Sequence, residues 1–194
     1  VSGWPRISET FAVNELLGLA RAGTLAGIVA TKPGDASLRQ PGAEALEPLV
    51  TVLDDVDPVA QAEQVVQLVE GLRRDGAHVA GLHGYFAHRP AEVAALAAAR
   101  LGLPYGFSTH ALDIRKVEAG ELARRAGGAS VVVSCNTETA RALTDLGIEV
   151  RLVPHGVDVE RFRPPESALR SDGIETVATV ELVAVGRMVE KKGC

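Results

Sequence analysis

Ser130-Val131-Val132-Val133-Ser134-Cys135-Asn136-Thr137-Glu138-Thr139 reads as a strand running directly into a helix. Three successive valines are β-branched and apolar, which suits a strand buried on both faces. Asn136 can accept hydrogen bonds from the first free N–H groups of the helix that follows, Thr137 to Leu146. Gly147 is placed to end that helix, and Glu149 to Val153 supplies the next strand. Strand, short helix and strand in immediate succession form a βα unit, and such units build parallel sheets.

The same rhythm extends towards the N-terminus. Glu9 to Ala22 is predicted to be a helix, because Val13, Leu16, Leu17 and Ala20 fall on one face of a 3.6-residue period. Ser8 is the expected N-cap and Gly23 the expected terminator. Thr24 to Ala30 is a β-capable run, followed by a breaker-rich loop from Lys32 to Gly42. Leu49 to Leu53 reads as a strand. Pro58 to Arg74 carries an apolar stripe of Ala62, Val65, Val66, Val69 and Leu72. Val79 to His83 reads as a short buried strand. Arg89 to Leu101 is helical, with Pro90 in its first turn. Leu103 to Thr109 is a strand, and Asp113 to Ala126 is a charged helix. Five or six such units predict an α/β fold, a parallel sheet with helices on both faces. Ligands of such sheets bind beyond the carboxyl ends of the strands. His83, His110, Asn136 and the Pro154-His155-Gly156 turn are expected there.

Composition narrows the function. The chain has 194 residues, 46% hydrophobic and 23% charged, with a net charge of −5. That is ordinary globular usage. The mild acidity gives no basic surface for nucleic acid. The two cysteines, Cys135 and Cys194, lie too far apart in sequence for a disulfide framework or a zinc spacing. A reducing cytoplasm is the expected setting. No run reaches the length of a membrane span, and no signal peptide is visible. The chain begins with Val1 rather than Met, so either its start has been removed or it is a fragment. Past Val153 the composition shifts. Residues 154–173 read as a linker, and Thr176 to Val185 as a strand that opens a second domain.

Several clusters could carry chemistry. Gly186-Arg187 and Lys191-Lys192-Gly193 put two cations near a helix start, which suits a diphosphate. A solvated basic turn is the competing reading. His110, with Asp113 three residues on, is either a proton-handling crevice residue or a partly buried helix cap. His78, His83 and His88 lack the i, i+4 spacing of a helical metal pair, so no metal site is expected among them. His83 could line the crevice, while His78 and His88 read as surface residues. The loop from Gly3 to Ser8 can offer backbone N–H groups to an anion or sugar, or is an ordinary capped loop under Trp4. Cys135 reads as packing, and no G-x-S-x-G supports a catalytic serine. Arg115, Lys116, Arg124 and Arg125 alternate with Glu118 and Glu121. They read as a solvated face that could meet anionic lipid headgroups.

Four motifs occur in order along the chain: Ser8-Glu9-Thr10-Phe11 with Asn14-Glu15; Phe107-Ser108-Thr109-His110-Ala111 with Asp113; Val153-Pro154-His155-Gly156-Val157-Asp158 with Arg161-Phe162; and Val185-Gly186-Arg187 with Lys191-Lys192-Gly193. Together they resemble family 4 glycosyltransferases, retaining enzymes of the GT-B fold, and most of all the bacterial exopolysaccharide or colanic-acid-pathway type.

The resemblance implies an acceptor-binding domain over residues 1–153, a linker over 154–173, and from 174 to 194 the start of a nucleotide-sugar-binding domain. It implies a sugar moved from a nucleotide-sugar donor to a glycan or lipid-linked acceptor with retention. His110 would contact the donor sugar. Gly186, Arg187 and Lys192 would hold the diphosphate, and Arg187 and Lys192 would stabilise the leaving group. The Gly3–Ser8 loop would close over the donor, and His83 and Asp113 would line the acceptor cleft. No metal or other cofactor is implied. The protein would be cytoplasmic, with peripheral contact at the inner membrane face. The resemblance also implies that the first strand is clipped at Val1 and that the donor-holding glutamates are missing, so this polypeptide alone is expected not to turn over. A nucleotide-sugar epimerase on the same fold would need more acid and base groups in the cleft. A non-catalytic glycan- or partner-binding module is the third reading.

Overall fold

In a computed structural model, residues 1–35, 37, 39–110, 114–160 and 162–163 are described. The chain divides into two compact units, Val1–Gly156 and Val157–Cys194. In the second, the described residues form a turn. Within it Phe162 N–H donates to the Asp158 carbonyl at 3.0 Å and Glu160 N–H to the Asp158 carboxylate at 3.1 Å.

The first unit is an α/β structure with parallel strands and helices on both faces. Its order is α1 (Thr10–Arg21), β1 (Ile28–Ala30), a 3₁₀ segment (Ala43–Leu49), β2 (Val50–Val52), α2 (Pro58–Arg74), β3 (Leu82–Tyr85), α3 (Arg89–Leu101), β4 (Tyr105–Thr109), a 3₁₀ turn (Ile114–Lys116), α4 (Ala119–Gly128), β5 (Val131–Ser134), α5 (Thr137–Asp145) and β6 (Arg151–Leu152). The strands form two sheets. β1 pairs with β2, and β3-β4-β5-β6 lie side by side in chain order, all parallel. In the four-stranded sheet each crossover contains an α-helix, whereas the 3₁₀ segment Ala43–Leu49 lies in the connection from β1 to β2.

Three apolar clusters hold these layers. α2 and α3 pack Ala62, Val65, Val69, Val93 and Ala97 together with Leu53. α4 and α5 bring Leu122 and Leu143 onto Phe107 of β4 and Val132 of β5. α1 packs Ala12, Val13 and Leu16 against Ile28, Leu46 and the buried segment at Val1 and Trp4. That segment follows the chain after β1: Thr31 N–H donates to the Val1 carbonyl at 3.1 Å and Gly34 N–H to the Trp4 carbonyl at 2.9 Å. A Cβ at Gly34 would collide with the Pro5 carbonyl, so only glycine lets the two stretches lie so close.

The predicted helices Pro58 to Arg74 and Arg89 to Leu101 occur with those bounds. Asn136 caps α5, accepting from Thr139 N–H at 2.8 Å. Gly23 and Gly147 follow their helices at φ 69° and 75°. Other expectations need correction. Glu9, not Ser8, is the N-cap of α1, and no side chain caps it. β3 starts at Leu82 rather than Val79, and His83 lies inside the strand instead of beyond it. Residues 79–83 are not buried; burial begins at Gly84, and the strand runs on to Tyr85. The helix expected over 113–126 is a 3₁₀ turn and then α4, broken at Glu118, whose carboxylate caps α4 through Glu121 N–H at 3.1 Å. The predicted strand over 176–185 and most of the linker lie outside the described residues.

Candidate functional site

The carboxyl ends of β3 to β6 converge on a group of imidazole and phenyl rings. His110 directly follows β4, Cys135 and Asn136 follow β5, and His155 follows β6. After β3 the chain turns through Phe86, a non-glycine residue at φ 89°. Phe11, from the first turn of α1, lies over the group. Its ring is 4.5 Å from that of His110 and 4.4 Å from that of His155, centroid to centroid. The His110 and His155 rings are themselves stacked at 5.2 Å, with 12° between their planes. Phe86 contacts His110 at 4.8 Å and stacks on His88 at 5.5 Å.

These imidazoles favour the neutral form. Burial pulls His110 down to about 4, and the neighbouring His155 and His83 add to the effect. Burial likewise lowers His88 to about 4, helped by Lys116, Lys32, Arg125 and Arg6. His155 is lowered by desolvation against the opposing charge of Glu15. A neutral imidazole offers one donor and one acceptor, so the group can meet polar ligand atoms without placing a fixed charge beside them.

His83 sits apart, paired with Gly106 across the sheet. Its Nε2 lies 2.7 Å from the Ser108 hydroxyl oxygen, and its ring meets Tyr85 edge-on at 5.5 Å. It lines a cavity of about 510 Å³ with β1, α1 and α2, rather than the ring cluster. Gly3 is buried against the Lys32–Pro33 backbone, whereas Ser8 is exposed. Asp113, Gly186, Arg187 and Lys192 lie outside the described residues. His78 is exposed, as expected. His88 is not a surface residue, because its stacking on Phe86 places it with the cluster.

Arg125 also departs from the solvated face expected of α4. Its side chain is 7% exposed and points inward. It donates to the Ala87 and His88 carbonyls at 2.7 and 2.9 Å. It also pairs with Glu121 at 2.8 Å and Glu92 at 3.2 Å. One guanidinium therefore fixes the turn that carries Phe86 and His88. The charge pattern of the sequence puts Arg124 and Arg125 together on a solvated face, and the fold separates them. Phe11 and His155 join the site through tertiary contacts that no local spacing encodes.

No helix among the described residues is long and apolar enough to cross a membrane. No curated protein matches the chain closely enough to serve as a relative. The sequence pattern of Glycosyltransferase Family 4 matches residues 8–161, most of the chain and all of the elements that build the ring cluster. With parallel strands, helices on both faces consistent with a Rossmann-like GT-B N-terminal domain, and this match over more than half its length, the chain belongs to glycosyltransferase family 4.

Proposed function

We propose that this chain forms the acceptor-side part of a retaining glycosyltransferase that moves a sugar from a nucleotide-sugar donor to a glycan or lipid-linked acceptor. The family match over residues 8–161 carries the reading, and the neutral ring cluster beyond the strand ends is in keeping with it. On this reading residues 1–153 bind the acceptor, 154–173 link, and 174–194 begin the donor-binding domain. His110 meets the donor sugar beside the reacting carbon. Arg187 and Lys192, with backbone approach at Gly186, hold the diphosphate and offset the charge that develops as it leaves. The Gly3–Ser8 loop covers the donor, and His83 and Asp113 lie along the acceptor cleft. Attack on the same face as departure gives retention. No metal is needed at the diphosphate, because two fixed cations take its place there. The reaction would run in the cytoplasm at the inner membrane face, on polysaccharide precursors.

The test is release of nucleoside diphosphate by the product of the complete gene, across a panel of nucleotide hexoses and polyprenyl-phosphate-linked acceptors. Transfer is expected with at least one donor, and His110→Ala is expected to lower kcat/KM by about 100-fold. Interconversion of the nucleotide sugar without transfer would instead identify an epimerase. Donor binding without either reaction would leave a binding module.

A further inference from the structure

The three strand ends that carry the ring cluster also bring together ligand atoms of a particular kind. One nitrogen of His110, one nitrogen of His155 and the Cys135 sulfur all lie within 4.8 Å of one another. We propose that His110, Cys135 and His155 form a binding site for a thiophilic divalent cation of the zinc class. The inference does not rest on the glycosyltransfer reading, since the cluster stands whatever reaction the protein performs.

The donor set selects the metal. Two imidazoles and a thiolate suit zinc or cobalt and suit magnesium or calcium poorly, because those ions require oxygen. Around a tetrahedral zinc, Zn–N and Zn–S bonds of about 2.0–2.3 Å put neighbouring ligand atoms roughly 3.4–3.6 Å apart. From separations of up to 4.8 Å the ligand atoms therefore need to close by about 1.2–1.4 Å at most, by the same bond-length arithmetic. His155 is exposed and can rotate towards the others, while His110 and Cys135 are half-buried at the ends of adjacent strands. Register supports the pair: Thr109 lies opposite Ser134, so the next residues, His110 and Cys135, leave the sheet side by side. The Asn136 amide lies 3.5 Å from the Cys135 sulfur and can donate to it, an outer-shell contact that favours the thiolate.

Three ligands leave a fourth position open towards the exposed His155 side, where water or an anionic oxygen can bind. On binding, the Cys135 thiol gives its proton to solvent as sulfur bonds the ion, and no electron transfer is involved. The ion would tie the turn after β6 to the ends of β4 and β5.

The test uses the purified 194-residue chain with Cys194→Ser, so that Cys135 is its one thiol. Titration with Co²⁺ is expected to saturate at one ion, to give a thiolate-to-cobalt charge-transfer band in the near ultraviolet, and to release about one proton per ion. Zn²⁺ should displace the cobalt. Cys135→Ser should abolish the band, and His155→Ala should weaken binding at least about 10-fold. His155 is exposed, so this variant should keep its far-ultraviolet circular dichroism. Absence of the band at one equivalent would overturn the site. So would a band unchanged in both His155→Ala and His110→Ala, which would mean metal held by the cysteine alone.

Discussion

His88 is where a single residue meets the physics most directly. Its ring stacks on Phe86, and burial together with Lys116, Lys32, Arg125 and Arg6 lowers its pKa to about 4. In the unfolded chain it titrates near 6.5. Between these values the unfolded state binds a proton that the native state refuses, so stability falls as pH falls through that window. At pH 5 the difference amounts to about 2 kcal/mol for this one residue. His88→Gln should therefore flatten the loss of Tm between pH 7 and pH 5, as measured by thermal denaturation without added metal. An unchanged slope would mean that His88 is solvated in solution. The sequence could not foretell this. Its spacing from His78 and His83 says only what His88 is not, while its burial depends on Phe86 and on an arginine from α4. His110 was legible, because it directly follows a strand in a parallel sheet, where ligands collect.

At the scale of elements, Arg125 does the work of a cross-brace. It joins α4 to the β3–α3 turn and to Glu92 of α3 through three polar contacts, and pairs with Glu121 on its own helix. Removing it strands the buried Ala87 carbonyl, while the part-buried His88 carbonyl and the partly exposed Glu92 can turn to water, which together costs about 1–3 kcal/mol. Arg125→Met should show that loss in urea denaturation, whereas Arg124→Met, on the exposed side, should cost under about 1 kcal/mol. Equal effects would put Arg125 back on the surface. Helix legibility follows the strength of local signals. α2 has Asp57 accepting from Val59 and Ala60 N–H groups, a proline in its first turn and a long apolar stripe, and its bounds were readable. The segment before α4 has a valine, a glutamate and charges at helical spacing. Glu118 there serves as a cap, and that role depends on where the chain turns. β3 was misplaced because Val79-Ala80-Gly81-Leu82 is the more apolar stretch, yet the sheet pairs Leu82 with Tyr105 and leaves the earlier residues outside it.

Across the first unit as a whole, the two sheets do not join. The edges of β1 and β3 face a common cavity of about 510 Å³, lined by Ile28, Val29 and Leu82 and floored by Val65, Val69 and Val93 from the helices. This cavity opens to solvent, so water stands where a closed core would supply apolar neighbours to the side chains that line it. In a close-packed core an added methylene forces strain and costs about 1–3 kcal/mol. Beside a void the sign reverses, because the methylene leaves water in the unfolded chain and meets neighbours that lacked a partner. Val65→Ile and Val69→Ile add one methylene each on the cavity side of α2 and keep the β-branch, so helix propensity hardly changes. Each is expected to stabilise the chain by about 0.8 kcal/mol, read from the urea midpoint at constant m. The two sites lie one helical turn apart and line the same cavity, so their gains are expected to couple, and the double variant to fall short of the sum. A loss of the usual overpacking size at either position would mean that the space between β1 and β3 is closed in solution and that the sheets meet there.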